Sequence, residues 1–126
     1  MVNLVVKTSP LFNQTLHDKI NQGNKRVSER LQDFLNTKKQ NPLQPFGSSD
    51  KPFTGDHLKK AVPNETMLHA HLTHDISIIY SLSGKDPKIL KLYGIFSHDE
   101  MGTGQPPNLK KQKQIAARLN NAGQVT

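Results

Sequence analysis

Apolar residues recur along this chain first at helical spacing and later in strict alternation. Leu4-Val5-Val6 is a short apolar run, long enough for one strand. Ser9-Pro10 then reads as an N-cap followed by proline at the first helical position. Phe12, Leu16 and Ile20 follow at spacing four, a single buried stripe that Gly23 closes. A second helix is predicted from about Lys25 to Lys38, burying Val27, Leu31, Phe34 and Leu35. The break at Gly23-Asn24 is so short that the two form an αα-hairpin. Residues 40–56 are rich in turn formers throughout and read as an ordered loop.

From Thr66 the period changes to two. Leu68, Ala70 and Leu72 take one face, and Met67, His69 and His71 the other, which is expected to be the solvent side. Thr73-His74-Asp75 turns the chain into a second strand carrying Ile76, Ile78, Tyr80 and Leu82. After a turn at residues 83–87, Ile89 to Phe96 is apolar on both faces, as an interior strand requires. Residues 97–107 read as a Gly/Pro loop, and Leu109 to Leu119 as a short cationic helix. The predicted order is β-α-α-β-β-β-α, an α+β fold in which the N-terminal strand and helical hairpin pack on one face of an antiparallel sheet and a helix ends the chain.

Composition narrows the function classes. The 126 residues carry 17 Lys and Arg against 10 Asp and Glu, a formal +7 that fits a polyanionic or acidic partner. Four of those cations, Lys110, Lys111, Lys113 and Arg118, fall within residues 105–126, where no acid occurs. The expected organisation is therefore a domain over 1–104 and a basic extension over 105–126. Leu109, Ile115, Ala116 and Leu119 form a narrow stripe, so this last helix is expected to be loosely held. There is no cysteine, which excludes disulfides and thiolate metal sites. No apolar run approaches 18 residues and no leader pattern opens the chain, so a cytoplasmic protein without membrane contact is expected.

Candidate chemistry concentrates in histidine. Five of the six fall between residues 57 and 98, three of them within His69–Asp75. Alternation puts His69 and His71 on one face, about 7 Å apart. The hairpin turn adds His74 and Asp75, and the end of the third strand adds His98 and Asp99. Imidazole exchanges protons near pH 7, so such a face beside excess lysine suits proton transfer at a phosphate. The same donors leave a metal reading open, through His69, His71 and His74. Lys51 in the loop and Lys91 on the third strand are the cations expected near this site. The lysines of the second helix are expected to be a solvated surface.

The segments Lys51-Pro52-Phe53-Thr54-Gly55, Ala70-His71-Leu72-Thr73-His74-Asp75-Ile76-Ser77-Ile78-Ile79-Tyr80 and Ser97-His98, in this order and spacing, resemble the RelE/ParE toxin superfamily, most closely its YafQ-like branch. The resemblance covers approximately residues 3–100. It implies the toxin of a type II toxin–antitoxin system: a metal-independent, ribosome-dependent endoribonuclease that cleaves mRNA without a cofactor and is blocked by an acidic cognate antitoxin. It further implies His71 and His98 as the acid–base pair, Asp75 orienting or charge-stabilising an imidazole, and Lys51 holding phosphate. His69 joins them by its face alone, and Tyr80 matches a core tyrosine. Lys91, Lys110, Lys111, Lys113 and Arg118 are the expected RNA contacts. Lys51 stands where the branch has His, Ile76 where it has Trp, and Gly102 where it has an aromatic. Two alternatives stay open: a ParE-like gyrase-targeting toxin without nuclease activity, and a small metal-binding protein.

Overall fold

The computed structural model describes residues 4–48, 50–53, 56–85, 87–104 and 106–122. Thr54 and Gly55 of the loop segment, Asp86 of the second turn, and both ends of the predicted basic extension lie outside them. The elements run β1 (Leu4–Thr8), α1 (Pro10–Asn21), α2 (Arg26–Gln40), β2 (Lys51–Pro52), α3 (Asp56–Lys59), β3 (Leu68–His71), β4 (Ile76–Ser83), β5 (Lys88–Ser97), α4 (His98–Met101) and α5 (Leu109–Ala122). The mixture of α and β is the one the pattern predicts. Three short elements are not predicted: β2 lies in the expected loop of residues 40–56, α3 starts at its last residue, and α4 lies in the expected loop of residues 97–107. Two to four residues hold no hydrophobic period, so pattern could not find them.

One five-stranded sheet runs β1-β5-β4-β3-β2. It is not all antiparallel, as expected, because β1 pairs parallel with β5. Ser9 explains how that pairing is joined to α1. Its hydroxyl accepts from Phe12 N at 2.9 Å, capping the helix, and donates to the Tyr93 carbonyl of β5 at 3.1 Å. β5 is interior, as its two apolar faces predict.

The helices do not lie on one face. Phe12, Val27, Leu31 and Phe34 of the hairpin cover Ala70, Ile78, Leu90 and their neighbours on the first face. Leu58, Val62, Met101, Ile115 and Leu119 cover Met67, Ile79, Tyr93 and Phe96 on the second. The face expected to meet solvent is thus largely core, and Met67 is fully buried. The contact between sheet and hairpin also rotates α1 from its predicted stripe. Ile20 is exposed, while Thr15 and Lys19 are buried. Thr15 accepts from Ile95 N, and Lys19 pairs with Glu100 of α4, so two polar side chains are satisfied against β5 and α4 where an apolar stripe was expected.

The C-terminal helix is not loosely held. Ile115 and Leu119 are buried in the second core, although Leu109 is exposed. Gln112 Nε2 donates to the Gly102 carbonyl at 2.9 Å, which Asn108 N also reaches at 2.9 Å. Nor are its cations all without acids: Lys111 pairs with Asp99 at 3.1 Å, and the Arg118 guanidinium lies 5.3 Å over the Phe96 ring.

A buried polar cluster, invisible to period and propensity, fixes the long loop. Lys38, expected on the solvated surface of α2, is 2% exposed. Its Nζ donates to Asp50 Oδ2 at 2.7 Å and to the Gln44 carbonyl at 2.8 Å. Asp50 also accepts from Phe46 N at 2.7 Å and from the Tyr80 hydroxyl. Burial and the Asp50 carboxylate push the Tyr80 phenol far up, so it stays protonated and donating. Tyr80 is therefore a core residue, as expected. The cluster also sets where Lys51, the next residue, enters the sheet.

Candidate active site

Backbone pairing alone brings three of the expected side chains together. His71 ends β3 and sits opposite Ser77 on β4, which in turn sits opposite Phe96 on β5. Between β3 and β4, Leu72 N and Thr73 N both donate to the Ile76 carbonyl, and Thr73 Oγ1 accepts from Ile76 N. His98 N then donates to the Asp75 carbonyl at 2.9 Å, sewing the start of α4 to this turn. Ser97 caps α4 in a box with Glu100. Burial would raise the Glu100 carboxyl, but the Lys19 ammonium and the Ser97 N–H outweigh it and hold it below the ordinary range.

The outcome is an imidazole pair. His71 Nε2 and His98 Nε2 are 3.0 Å apart, and Ser77 Oγ lies 3.3 Å from His98 Nε2. At that distance one ring donates and the other accepts, so the pair cannot hold two full charges without repulsion. Burial, then the neighbouring His98 and His74, holds His71 below the usual histidine value. His71 is thereby kept neutral near pH 7, the form that takes a proton. Ser77 was missed by sequence reasoning. The signal was present in the hairpin register, since a turn centred on His74 sets residue 77 across from residue 71.

His69 and Lys51 adjoin the pair. They are cross-strand partners of β3 and β2, so both side chains share the face of His71. The His69 ring stacks on Phe53 at 4.3 Å, and its Nδ1 is buried without a hydrogen-bond partner among the described residues. Burial first, with His71 and Lys51 beside it, lowers its pKa to about 4. A ring neutral throughout the physiological range cannot serve as the acid, and stacking on Phe53 makes it a wall of the site. Lys51 is exposed, free to meet a ligand from solvent.

Other expected residues stand apart. Asp75 and His74 are exposed on the turn, and among the described residues the Asp75 carboxylate is hydrogen-bonded to no imidazole. It meets His98 through its backbone carbonyl instead. Lys91, expected near the site, pairs with Glu65 at 2.6 Å. It lies five residues before Phe96 on β5, roughly 17 Å along the strand from the histidine end. Lys110 and Lys113 are exposed on α5. Among the described residues no three His, Asp or Glu side chains converge to hold a metal ion, so His69, His71 and His74 do not form the alternative site.

A cleft of about 870 Å³ opens beside His71, between the β3–β4 turn and the α1–α2 turn. Lys25, Arg26 and Arg30 line its helical wall, with Phe46 at its side. Imidazoles, a strand lysine and this cationic wall make an arrangement suited to binding an anion and moving protons at it.

No protein-family model and no curated protein matches the chain. Among solved structures it is similar to the YoeB/ParE toxin from Agrobacterium tumefaciens, with a TM-score of 0.55 and 17% sequence identity, over 77% of this chain and 99% of that one. At that identity the likeness is one of fold.

Proposed function

We propose that this protein is the toxin of a toxin–antitoxin pair and that it cleaves mRNA on the ribosome without a metal. The observation that carries this reading is the His71–His98 pair, 3.0 Å between Nε2 atoms, beside Lys51 and an open cationic cleft. The fold-level likeness to a solved toxin supports it.

The chemistry is attack of the ribose 2′-OH on the adjacent phosphorus, a nucleophile that DNA lacks. The 2′-oxygen bonds to phosphorus, the bond to the 5′-oxygen breaks, and the products are a 2′,3′-cyclic phosphate and a free 5′-hydroxyl. His71, held neutral, takes the 2′-OH proton. His98 gives a proton to the leaving 5′-oxygen. The phosphate entering between the two rings replaces the hydrogen bond they share in the free protein. Lys51 stabilises charge on the phosphorane, and Asp75, at the rim, favours the imidazolium that forms. A +7 chain also suits an acidic antitoxin and rRNA, and a cytoplasmic site of action follows.

The test is mRNA cleavage in a translating extract with EDTA present, using wild type, His71→Ala and His98→Ala. Wild-type cleavage that leaves cyclic phosphate ends, lost in both variants, is expected. Intact mRNA with inhibited gyrase supercoiling would replace this reading with the ParE-like one.

A further inference from the structure

We propose that the cleft between the α1–α2 and β3–β4 turns is a nucleotide subsite, holding the nucleotide of a single RNA strand next to the bond that His71 and His98 act on. This rests on the nuclease reading and names a part of the site that neither the sequence motifs nor the imidazole pair supplies.

Three observations point to a nucleotide. The first is position. The cleft's wall includes His71 and His74, so it borders the imidazole pair at His71, while His98 and Ser77 lie outside its lining. The second is charge. Lys25, Arg26 and Arg30 face it with Asp75 as the counter-charge, a surplus of cations that a phosphodiester satisfies. Lys25 and Arg26 are exposed, and no ion pair among the described residues engages either.

The third is a rigid cationic plane. The Arg30 guanidinium lies 4.7 Å over the Phe46 ring, which meets Phe34 edge-on at 5.5 Å. Its Nε donates to the Leu72 carbonyl at 3.0 Å and its NH1 to Asp33 at 3.3 Å. Phe46 is itself tied by its N–H to buried Asp50. A guanidinium so held loses little freedom on binding, and its planar face stacks a splayed base as an aromatic does. It offers a stacking surface in a chain that has Ile76 and Gly102 in place of the aromatics of the family it resembles. The volume, about 870 Å³, is within the range of small-ligand sites.

The experiment measures fluorescence anisotropy of a labelled RNA hexamer, 2′-O-methylated throughout so that it cannot be cleaved, on the full chain over a series of salt concentrations. Two variants are compared with wild type: Lys25→Gln/Arg26→Gln, both surface positions, and Arg30→Lys, which keeps the charge and removes the plane. The double variant is expected to weaken binding about tenfold and to flatten the dependence of log K on log salt by roughly 1.4. Arg30→Lys is expected to weaken binding several-fold with the slope unchanged. Equal affinities in wild type and the double variant would overturn the subsite, whatever Arg30→Lys does to folding. So would an acidic peptide of equal charge that binds as tightly and loses as much in the variants, which would assign the cleft to a protein ligand. Unmodified mRNA is assayed in parallel. Weakened hexamer binding in the variants, with no wild-type cleavage on ribosomes, keeps the subsite and sinks the nuclease; undiminished cleavage and binding by the variants does the reverse.

Discussion

A Cβ atom added to Gly102 would stand 2.3 Å from the Asn108 carbonyl oxygen and 2.9 Å from Lys111 Cβ. Gly102 closes α4 in the left-handed region, at φ +72°, and its carbonyl accepts from both Asn108 and Gln112. The first turn of α5 therefore lies against the position where the resembled family has an aromatic side chain. The start of α5 thus packs where only a residue without a side chain leaves room.

Gly102→Ala should lower stability by about 1–3 kcal/mol through overpacking and the unfavourable φ. Gly104→Ala, with nothing within 4 Å of the added atom, is the control and should change little. Urea unfolding of both settles the matter; equal midpoints would mean that α5 does not need this contact.

Breaking the Lys38–Asp50 pair should be among the most damaging single changes. Both side chains are 3% exposed, and removing one partner strands a buried charge, at a cost of about 3–5 kcal/mol. Lys38→Met and Asp50→Asn should each show it, and the double variant should lose less than the sum of the two. Additive losses in a double-mutant cycle would show the pair to be uncoupled.

His69 should make the fold sensitive to acid. Its native pKa, about 4, lies below the ordinary histidine value of 6.5. The unfolded chain therefore binds the proton first as pH falls, and stability is lost from pH 6.5 down through about 4. Above 6.5 both states are neutral and this contribution is complete. His69→Phe keeps the stack on Phe53 and removes the titration, so its unfolding midpoint should fall less over that window. Parallel curves for wild type and variant would contradict the assignment.

The depressed pKa of His71 should appear in kinetics. If it is the base, kcat/KM should hold its plateau down to a pH below 6.5 before falling, since the ring must be neutral to act. His71→Ala should lose about 10²–10⁴-fold in rate together with that acid limb. A variant that keeps the limb would move the base elsewhere.

On α5, apolar and cationic faces should separate in experiment. Leu119→Ala, at a fully buried position, should cost about 2–5 kcal/mol. Lys110→Gln/Lys113→Gln should leave the melting temperature unchanged while weakening ribosome binding and flattening its salt dependence. Lys111 belongs to neither set cleanly, because its partner Asp99 is 88% exposed and such surface pairs contribute little. Unaltered ribosome affinity in the double variant would leave the helix a purely structural role.

Hydrophobic period by itself determined the helical hairpin, the β3–β4–β5 succession, the interior place of β5 and the presence of a C-terminal helix. Each rests on a repeat long enough to choose one face of one element. Alternation put His69 and His71 on one face, and the family resemblance pointed to His71 and His98. Period could not say what lies across a face. That Met67 and His69 meet a second core, that β1 runs parallel to β5, and that Ile20 rather than Lys19 meets water all depend on which layer packs where. Polar partners were hidden for the same reason: Lys38 finds Asp50, Lys19 finds Glu100 and Lys91 finds Glu65 across 12, 81 and 26 residues. The 3.0 Å between His71 and His98 is likewise a tertiary result, because only the register of three strands and the Asp75–His98 backbone bond carry two rings to one point.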